Sequence, residues 1–270
     1  TTDVPAYTVN RLCASGLQAV ANAHEGILSN RLHLAIAGGA ESMTRAPWVT
    51  EKPNKPWAKP GKTFDSALGW RFINPKMDSH DNGNTTLSLG LATEKLAKEH
   101  GITRVESDEF ACRSHELAAE SWRSGFFANH TIQIETKNEL LIDETIRETT
   151  SLESLGKLKA SFSDDGIITA GNSSPLSDGA SGTLVASEDA IKEFSLKPKV
   201  EILGFVAVGV KPYQFGYGPV PAIEKLLNKH NLKINDIDAI EINEAFASQV
   251  LVCQKALKIK TEVLNSRGGG

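Results

Sequence analysis

Along the first forty residues the pattern changes period twice. Ala6 to Leu12 is short and apolar-rich, the pattern of a strand. From Ala14 to Ser29 the apolar positions Leu17, Val20, Ile27 and Leu28, with His24, fall at helical spacing. Leu32 to Gly39 is a continuous apolar run ending in glycines, which predicts a buried strand closed by a turn. This strand–helix–strand order predicts a parallel sheet with helical cover. From Glu41 to about Ser177 the pattern loosens. Residues 47–62 carry four prolines and read as loop. Leu87–His100 and Val105–Gly125 are predicted helices, the second with acidic residues at its start, and 126–170 is polar and turn-rich.

The alternation then returns. Gly182–Ala186 is a predicted strand and Glu188–Phe194 a helix. Val200–Val210 is strand-like, and Pro221–His230 is a helix with proline in its first turn. Ile237–Ile242 is a predicted strand, Glu244–Leu257 a helix, and Val263–Asn265 opens a further strand. The expected organisation is an α/β chain in three parts: an N-terminal half at 1–43, an inserted loop domain at 44–177 and a C-terminal half at 178–270.

Composition narrows the function classes. The chain has 270 residues, 40% hydrophobic and 23% charged, ordinary globular values. A net charge of −4 gives no electrostatic case for nucleic acid. No apolar run is long enough to span a bilayer and no signal-peptide pattern opens the chain, so a cytoplasmic protein is expected. Three cysteines without paired spacing argue against a disulfide framework. None of the seven histidines has metal-ligand spacing, so no metal is expected. His24 and His33 are expected to be packed and the other histidines to face solvent. Cys112 and Cys253 lie inside helical patterns and read as packing residues. Gly216-Tyr217-Gly218-Pro219 lacks the lysine and hydroxyl residue of a phosphate loop and reads as a turn before a helix.

The chemistry centres on Cys13, in Asn10-Arg11-Leu12-Cys13-Ala14-Ser15-Gly16, where a predicted strand meets a predicted helix. Backbone N–H groups and the dipole at a helix start favour thiolate, the nucleophilic form. Taken alone, such a cysteine is as readily a packed core thiol. Asn243, in Asn243-Glu244-Ala245-Phe246, also sits at a strand-to-helix junction, where it could serve as a helix cap. The shared placement of the two residues hints at two related halves.

Together with these, Ala37-Gly38-Gly39-Ala40-Glu41-Ser42-Met43-Thr44, Thr169-Ala170-Gly171-Asn172-Ser173-Ser174 and Ser177-Asp178-Gly179-Ala180 occur in order along the chain. The set resembles the thiolase family from end to end. Thr63 to Phe72 looks closest to bacterial degradative thiolases of the 3-oxoadipyl-CoA and 3-ketoacyl-CoA type. The resemblance implies two similar α/β halves in α-β-α-β-α layers with an inserted loop domain. It implies an acyl-CoA:acetyl-CoA C-acyltransferase of β-oxidation and fatty acid metabolism, with coenzyme A or acetyl-CoA as substrate and no permanently bound cofactor. A homodimer or homotetramer is implied as well.

Residue by residue, the resemblance makes Cys13 the acyl-thioester nucleophile, with its N–H in one oxyanion hole. Asn243 holds a catalytic water in the other. Arg147, Ser154, Leu158, Phe162, Ala170 and Ser174 fall at coenzyme A contacts, and Phe246 lines the pocket near the thioester. The chain departs from the family at Ser88-Leu89-Gly90, where histidine often precedes Met-Gly. The chain opens without methionine and ends on a glycine run, so it is expected to be part of a longer protein. The resemblance places an activating histidine and a second cysteine beyond Gly270, and the 270 residues by themselves are then expected to be inactive. The alternatives are a non-catalytic coenzyme A-binding or assembly subunit of the same fold and a ketoacyl synthase-like condensing enzyme.

Overall fold

The computed structural model describes residues 2–134 and 142–270. Its helices are α1 (Ser15–Leu28), α2 (Pro75–Asp78), α3 (Leu89–Glu99), α4 (Arg104–Arg123), α5 (Leu152–Gly156), α6 (Glu188–Glu193), α7 (Pro219–Lys229) and α8 (Ala247–Leu257). Its strands are β1 (Leu34–Glu41), β2 (Trp48–Thr50), β3 (Thr63–Asp65) and β4 (Gly179–Ala186). They form two compact units, Thr1–Pro47 with Leu176–Phe205, and Trp48–Pro175 with Val206–Gly270.

In the first unit β1 pairs with β4 along its whole length, from Leu34 opposite Ala186 to Glu41 opposite Gly179. The pairing is antiparallel, which corrects the expected parallel arrangement. Gly38 and Gly39 lie inside the ladder instead of ending it. A Cβ at Gly38 would collide with the Ser181 carbonyl, so glycine permits this register. Alternation along β1 sends Ala35 and Ala37 toward α1, where Ala19, Val20, Ala23 and Ile27 pack on them with Val185. Ile36, between them, is exposed, so β1 is covered on one face and is not the fully buried strand expected. On α1 the covered face is built from small residues, while Leu17 and Leu28 stay exposed. His33 is exposed too, contrary to expectation, because it lies just before the ladder begins. Asp178 closes the unit by accepting from the Ser42 and Thr44 hydroxyls and from the Thr44 N–H.

The second unit is helical around α8. That helix is buried on most of its surface, with Val250, Val252 and Cys253 fully buried and the polar Ser248 and Gln249 buried beside them. Phe110, Val220, Ile240, Ile242, Leu257 and Leu264 complete its main core. Local signals fix the helix starts. Ser88 caps α3, and Thr103 with Glu106 forms a capping box on α4. The 3₁₀ turn Pro212–Tyr217 leads into α7, as the Gly-Tyr-Gly-Pro segment predicts.

Ala6–Leu12 and Val200–Val210 are not strands. Among the described residues no segment pairs with them along a ladder, and Val200 and Leu203 are exposed. Ile237–Ile242 and Val263–Asn265 form no extended ladder; their backbones share a single parallel bridge, Ile240 with Leu264. His115 and His230 are partly buried, where solvent exposure was expected.

Candidate active site

Cys13 stands in a tight turn of the first unit. Leu12 takes a left-handed φ of +50°, a conformation that costs a non-glycine residue about 1–2 kcal/mol. Ser15 holds the turn by accepting from the Arg11 N–H (2.9 Å) and donating to the Leu12 carbonyl (2.6 Å). The Asn10 side chain accepts from the Leu12 N–H at 3.0 Å, and the Arg11 guanidinium donates to Gln18 Oε1 at 2.6 Å. The turn delivers an exposed thiol to the entrance of α1, whose cap residue Ala14 offers no side-chain acceptor. The uncapped positive end of that helix therefore faces the thiol segment.

Asn243 belongs to the second unit and is exposed. It does not cap α8. The cap residue is Phe246, with no side-chain cap bond. The side chain of Asn243 has no hydrogen-bond partner among the described residues, but both its neighbours are fixed. The buried Asn265 side chain accepts from the Ile242 N–H (2.8 Å) and donates to the Ile242 carbonyl (2.9 Å). It also donates to Glu244 Oε1 (2.8 Å), and the Ser114 hydroxyl donates to Glu244 Oε2 (2.6 Å).

The Thr169–Ser174 motif runs against the Asn243–Phe246 motif. The Ser174 N–H donates to the Ala245 carbonyl (3.2 Å), and the Ala247 N–H donates to the Asn172 carbonyl (2.9 Å). Ser173 and Phe246 form an antiparallel bridge. Ser174 Oγ lies 3.4 Å from the Ala245 carbonyl, exposed and free to exchange partners. Phe162, 39% exposed, meets the buried Phe246 edge-to-face at 6.0 Å. Gly90 lies beneath Phe162, where a Cβ would overlap the ring, which gives the Leu89-Gly90 pair its glycine. Leu158 and Ala170 are exposed nearby in sequence, and Leu158 packs over Gly171.

Buried polar residues hold this segment. Asn172 donates to Asp108 (2.9 Å) and accepts from the Thr169 N–H (2.8 Å). Asp108 pairs with Arg104 at 2.8 Å, and Arg104 reaches on to the Leu155 and Leu158 carbonyls. Glu94 accepts from the N–H groups of Ile167 and Ile168.

Arg147 and Ser154 stand apart from this cluster and have no hydrogen bond to Ser174, Phe246 or Asn243. Arg147 is exposed, and its backbone N–H donates to His115 Nδ1 at 3.2 Å. Burial, together with the Arg147 charge, lowers the pKa of His115 against the opposing pull of Glu244. The Ser154 hydroxyl is engaged in a reciprocal cap with Ser151 on α5. A cleft of about 460 Å³ beside them, between Cys112, Glu116 and Leu152, contains none of the motif residues. Among the described residues no group of His, Cys, Asp or Glu is placed to hold a metal ion, and no helix is long and apolar enough to cross a membrane.

Sequence reasoning missed Asn265, Glu244, Ser114, Asp108 and His115. Of these only Glu244 sat inside a recognised motif, and the others act across long sequence separations.

The fold presents an exposed thiol in a left-handed turn just before α1 and an exposed asparagine four residues before α8. The chain matches the models of the thiolase N-terminal domain over residues 1–189 and of the thiolase C-terminal domain over residues 196–270. The chain belongs to the thiolase family. It is 40% identical to the beta-ketoadipyl-CoA thiolase of Acinetobacter baylyi, over 99% of this chain and 68% of that relative. It is 39% identical to the 3-oxoadipyl-CoA/3-oxo-5,6-dehydrosuberyl-CoA thiolase of Escherichia coli K12, over 98% of this chain and 68% of that relative. Human mitochondrial 3-ketoacyl-CoA thiolase in complex with CoA superposes with a TM-score of 0.89 at 34% identity, covering 100% of this chain and 66% of that one. The acetyl-CoA acetyltransferase of Bacillus anthracis gives 0.86 at 35%, covering 98% and 66%.

Proposed function

We propose that this thiolase cleaves 3-ketoacyl-CoA with coenzyme A, or runs the reverse Claisen condensation, through an acyl-cysteine on Cys13. The Cys13 thiolate attacks the 3-keto carbon. The bond between C2 and C3 breaks, its electron pair stays on C2, and C2 takes a proton to leave as acetyl-CoA. The thiol of a second coenzyme A then attacks the acyl-cysteine, releasing the shortened acyl-CoA and restoring the thiolate. Asn243 orients a water toward the oxygen on which charge builds, a task an amide performs without titrating.

The observation that carries this reading is the pairing of Thr169–Ser174 with the Asn243–Phe246 motif through Ser174, Asn172 and Ala247. It sets residues at family coenzyme A positions beside the asparagine loop. Ser174 then serves the pantetheine amide, while Leu158, Phe162, Ala170 and Phe246 form the apolar path of the arm. Arg147 takes the nucleotide end, where a guanidinium suits phosphate or stacking. Ser154 supports that end through the α5 start. The division into 1–43, 44–177 and 178–270 belongs to this reading, as does a homodimer or homotetramer. Three unpaired thiols fit a cytoplasmic location. The relatives' names point to a dicarboxylic 3-ketoacyl-CoA as the substrate to try first.

The direct experiment incubates the complete gene product with acetoacetyl-CoA and 3-oxoadipyl-CoA in the presence of coenzyme A. Loss of substrate with an acyl adduct on Cys13 by mass spectrometry is expected. Intact substrate and an unmodified Cys13 would exclude the proposal.

A further inference from the structure

Asn243 is exposed, and its side chain has no hydrogen-bond partner among the described residues, so its place is set by the backbone on either side. The chain around it is held at two points. Ile242 on one side has its N–H and carbonyl both bonded to the carboxamide of Asn265, at 2.8 and 2.9 Å. Glu244 on the other side is buried, with one oxygen bonded to the same carboxamide at 2.8 Å and the other to Ser114 at 2.6 Å. Ser114 in turn accepts from the Gly269 N–H at 3.1 Å.

Asn265 is suited to this task. It is 2% exposed and has a left-handed φ of +44°, which asparagine tolerates better than most residues. Its own N–H donates to the Ile240 carbonyl at 2.9 Å, so backbone pairing to Ile240 continues as side-chain pairing to Ile242. The carboxamide oxygen and nitrogen are both committed, to three partners in all. An aspartate of the same shape would lose both donor bonds and set a carboxylate against Glu244.

We propose that Asn265, with Glu244 and Ser114, is the positioning residue for Asn243, and that it acts on the carbon–carbon step through that residue alone. The inference rests on the acyl-transfer reading above. The test uses the complete protein with Asn265→Asp, Ser114→Ala, Asn243→Ala and the double variant Asn243→Ala/Asn265→Asp. Two reactions are followed: thiolysis of acetoacetyl-CoA, and exchange of labelled coenzyme A into acetyl-CoA, which needs acylation of Cys13 only.

Thiolysis kcat is expected to fall about tenfold or more in Asn265→Asp, and about threefold in Ser114→Ala, with KM for coenzyme A within about threefold. Exchange stays within about threefold of the parent, and the double variant is no slower in thiolysis than Asn243→Ala. A parallel fall in exchange, an unchanged thiolysis kcat, or multiplicative losses in the double variant would overturn the assignment. If Asn265→Asp does not fold, Ser114→Ala is judged by the same split. A parent protein that leaves acetoacetyl-CoA intact would instead bring down the acyl-transfer reading itself.

Discussion

Asn172 and Asp108 meet in the interior of the second unit, with the Asn172 amide donating to a carboxylate oxygen at 2.9 Å and both side chains buried. Through this bond α4 holds the loop whose next residues pair with the asparagine motif. Asn172→Ala would strand Asp108 Oδ1 and the Thr169 N–H in the interior. A loss of about 2–4 kcal/mol in denaturant unfolding is expected. A loss below about 0.5 kcal/mol would show that the network contributes little.

Gly90 and Phe162 provide a test of the acyl path. In Gly90→Ala the new methyl must displace the Phe162 ring. The ring is partly exposed and can swing aside, so the stability loss is expected to stay near 1 kcal/mol. The KM for acyl-CoA should rise about threefold or more, because the ring leaves its place against Phe246. An unchanged KM would separate Phe162 from substrate binding.

The three thiols differ in access, which makes a labelling experiment decisive. Cys13 is exposed, Cys112 is half-buried and Cys253 is buried. Burial raises the Cys112 thiol pKa, with nearby Glu116, Asp108 and Glu109 adding to the effect. Burial pushes Cys253 up to about 11. Iodoacetamide at neutral pH should therefore label Cys13 first, Cys112 slowly and Cys253 only after unfolding. Peptide mass mapping over time gives the order. In Cys13→Ala the acyl adduct should disappear altogether.

Glu106 gives a pH-dependent contribution. Its bonds to Lys255 and then to Thr103 lower its pKa from 4.5 to about 2. Because the folded value is depressed, the stabilisation is complete above the unfolded value and is lost as pH falls from about 4.5 toward about 2. Both partners are partly exposed, which lets solvent screen the pair, so the effect should be below about 1 kcal/mol. Glu106→Gln should melt slightly lower than the parent at pH 6, and the difference should shrink steadily on acidification. A constant difference across that window would assign the effect to capping alone.

The start of α4 was legible because its acidic residues from Glu106 to Glu109 are a local signal, whereas the Ser88 cap and the Thr103–Glu106 box emerge only from the side-chain contacts. The helix after Cys13 was legible in the same way, but the strand expected before it is a turn with Leu12 left-handed. Strand assignments at Ala6–Leu12 and Val200–Val210 failed because apolar content says a strand is permitted, while a ladder needs a distant neighbour. Asn265 was invisible for a related reason. It reads as part of a strand opening at Val263–Asn265 until Ile242 and Glu244 come into contact with it. The leucines of α1 misled because Leu17 and Leu28 fit the helical period, yet the alanine face packs closest to the sheet.

The β1–β4 ladder also sets an order of events during synthesis. Among the described residues the ladder partners of β1 lie between Gly179 and Ala186, so β1 leaves the ribosome before they are made. At ordinary elongation rates the wait is roughly ten to thirty seconds. Throughout it, the edge of β1 that β4 will cover is left to chaperones or to aggregation. Yield of soluble protein should therefore respond to translation speed and chaperone supply more sharply than to changes in equilibrium stability.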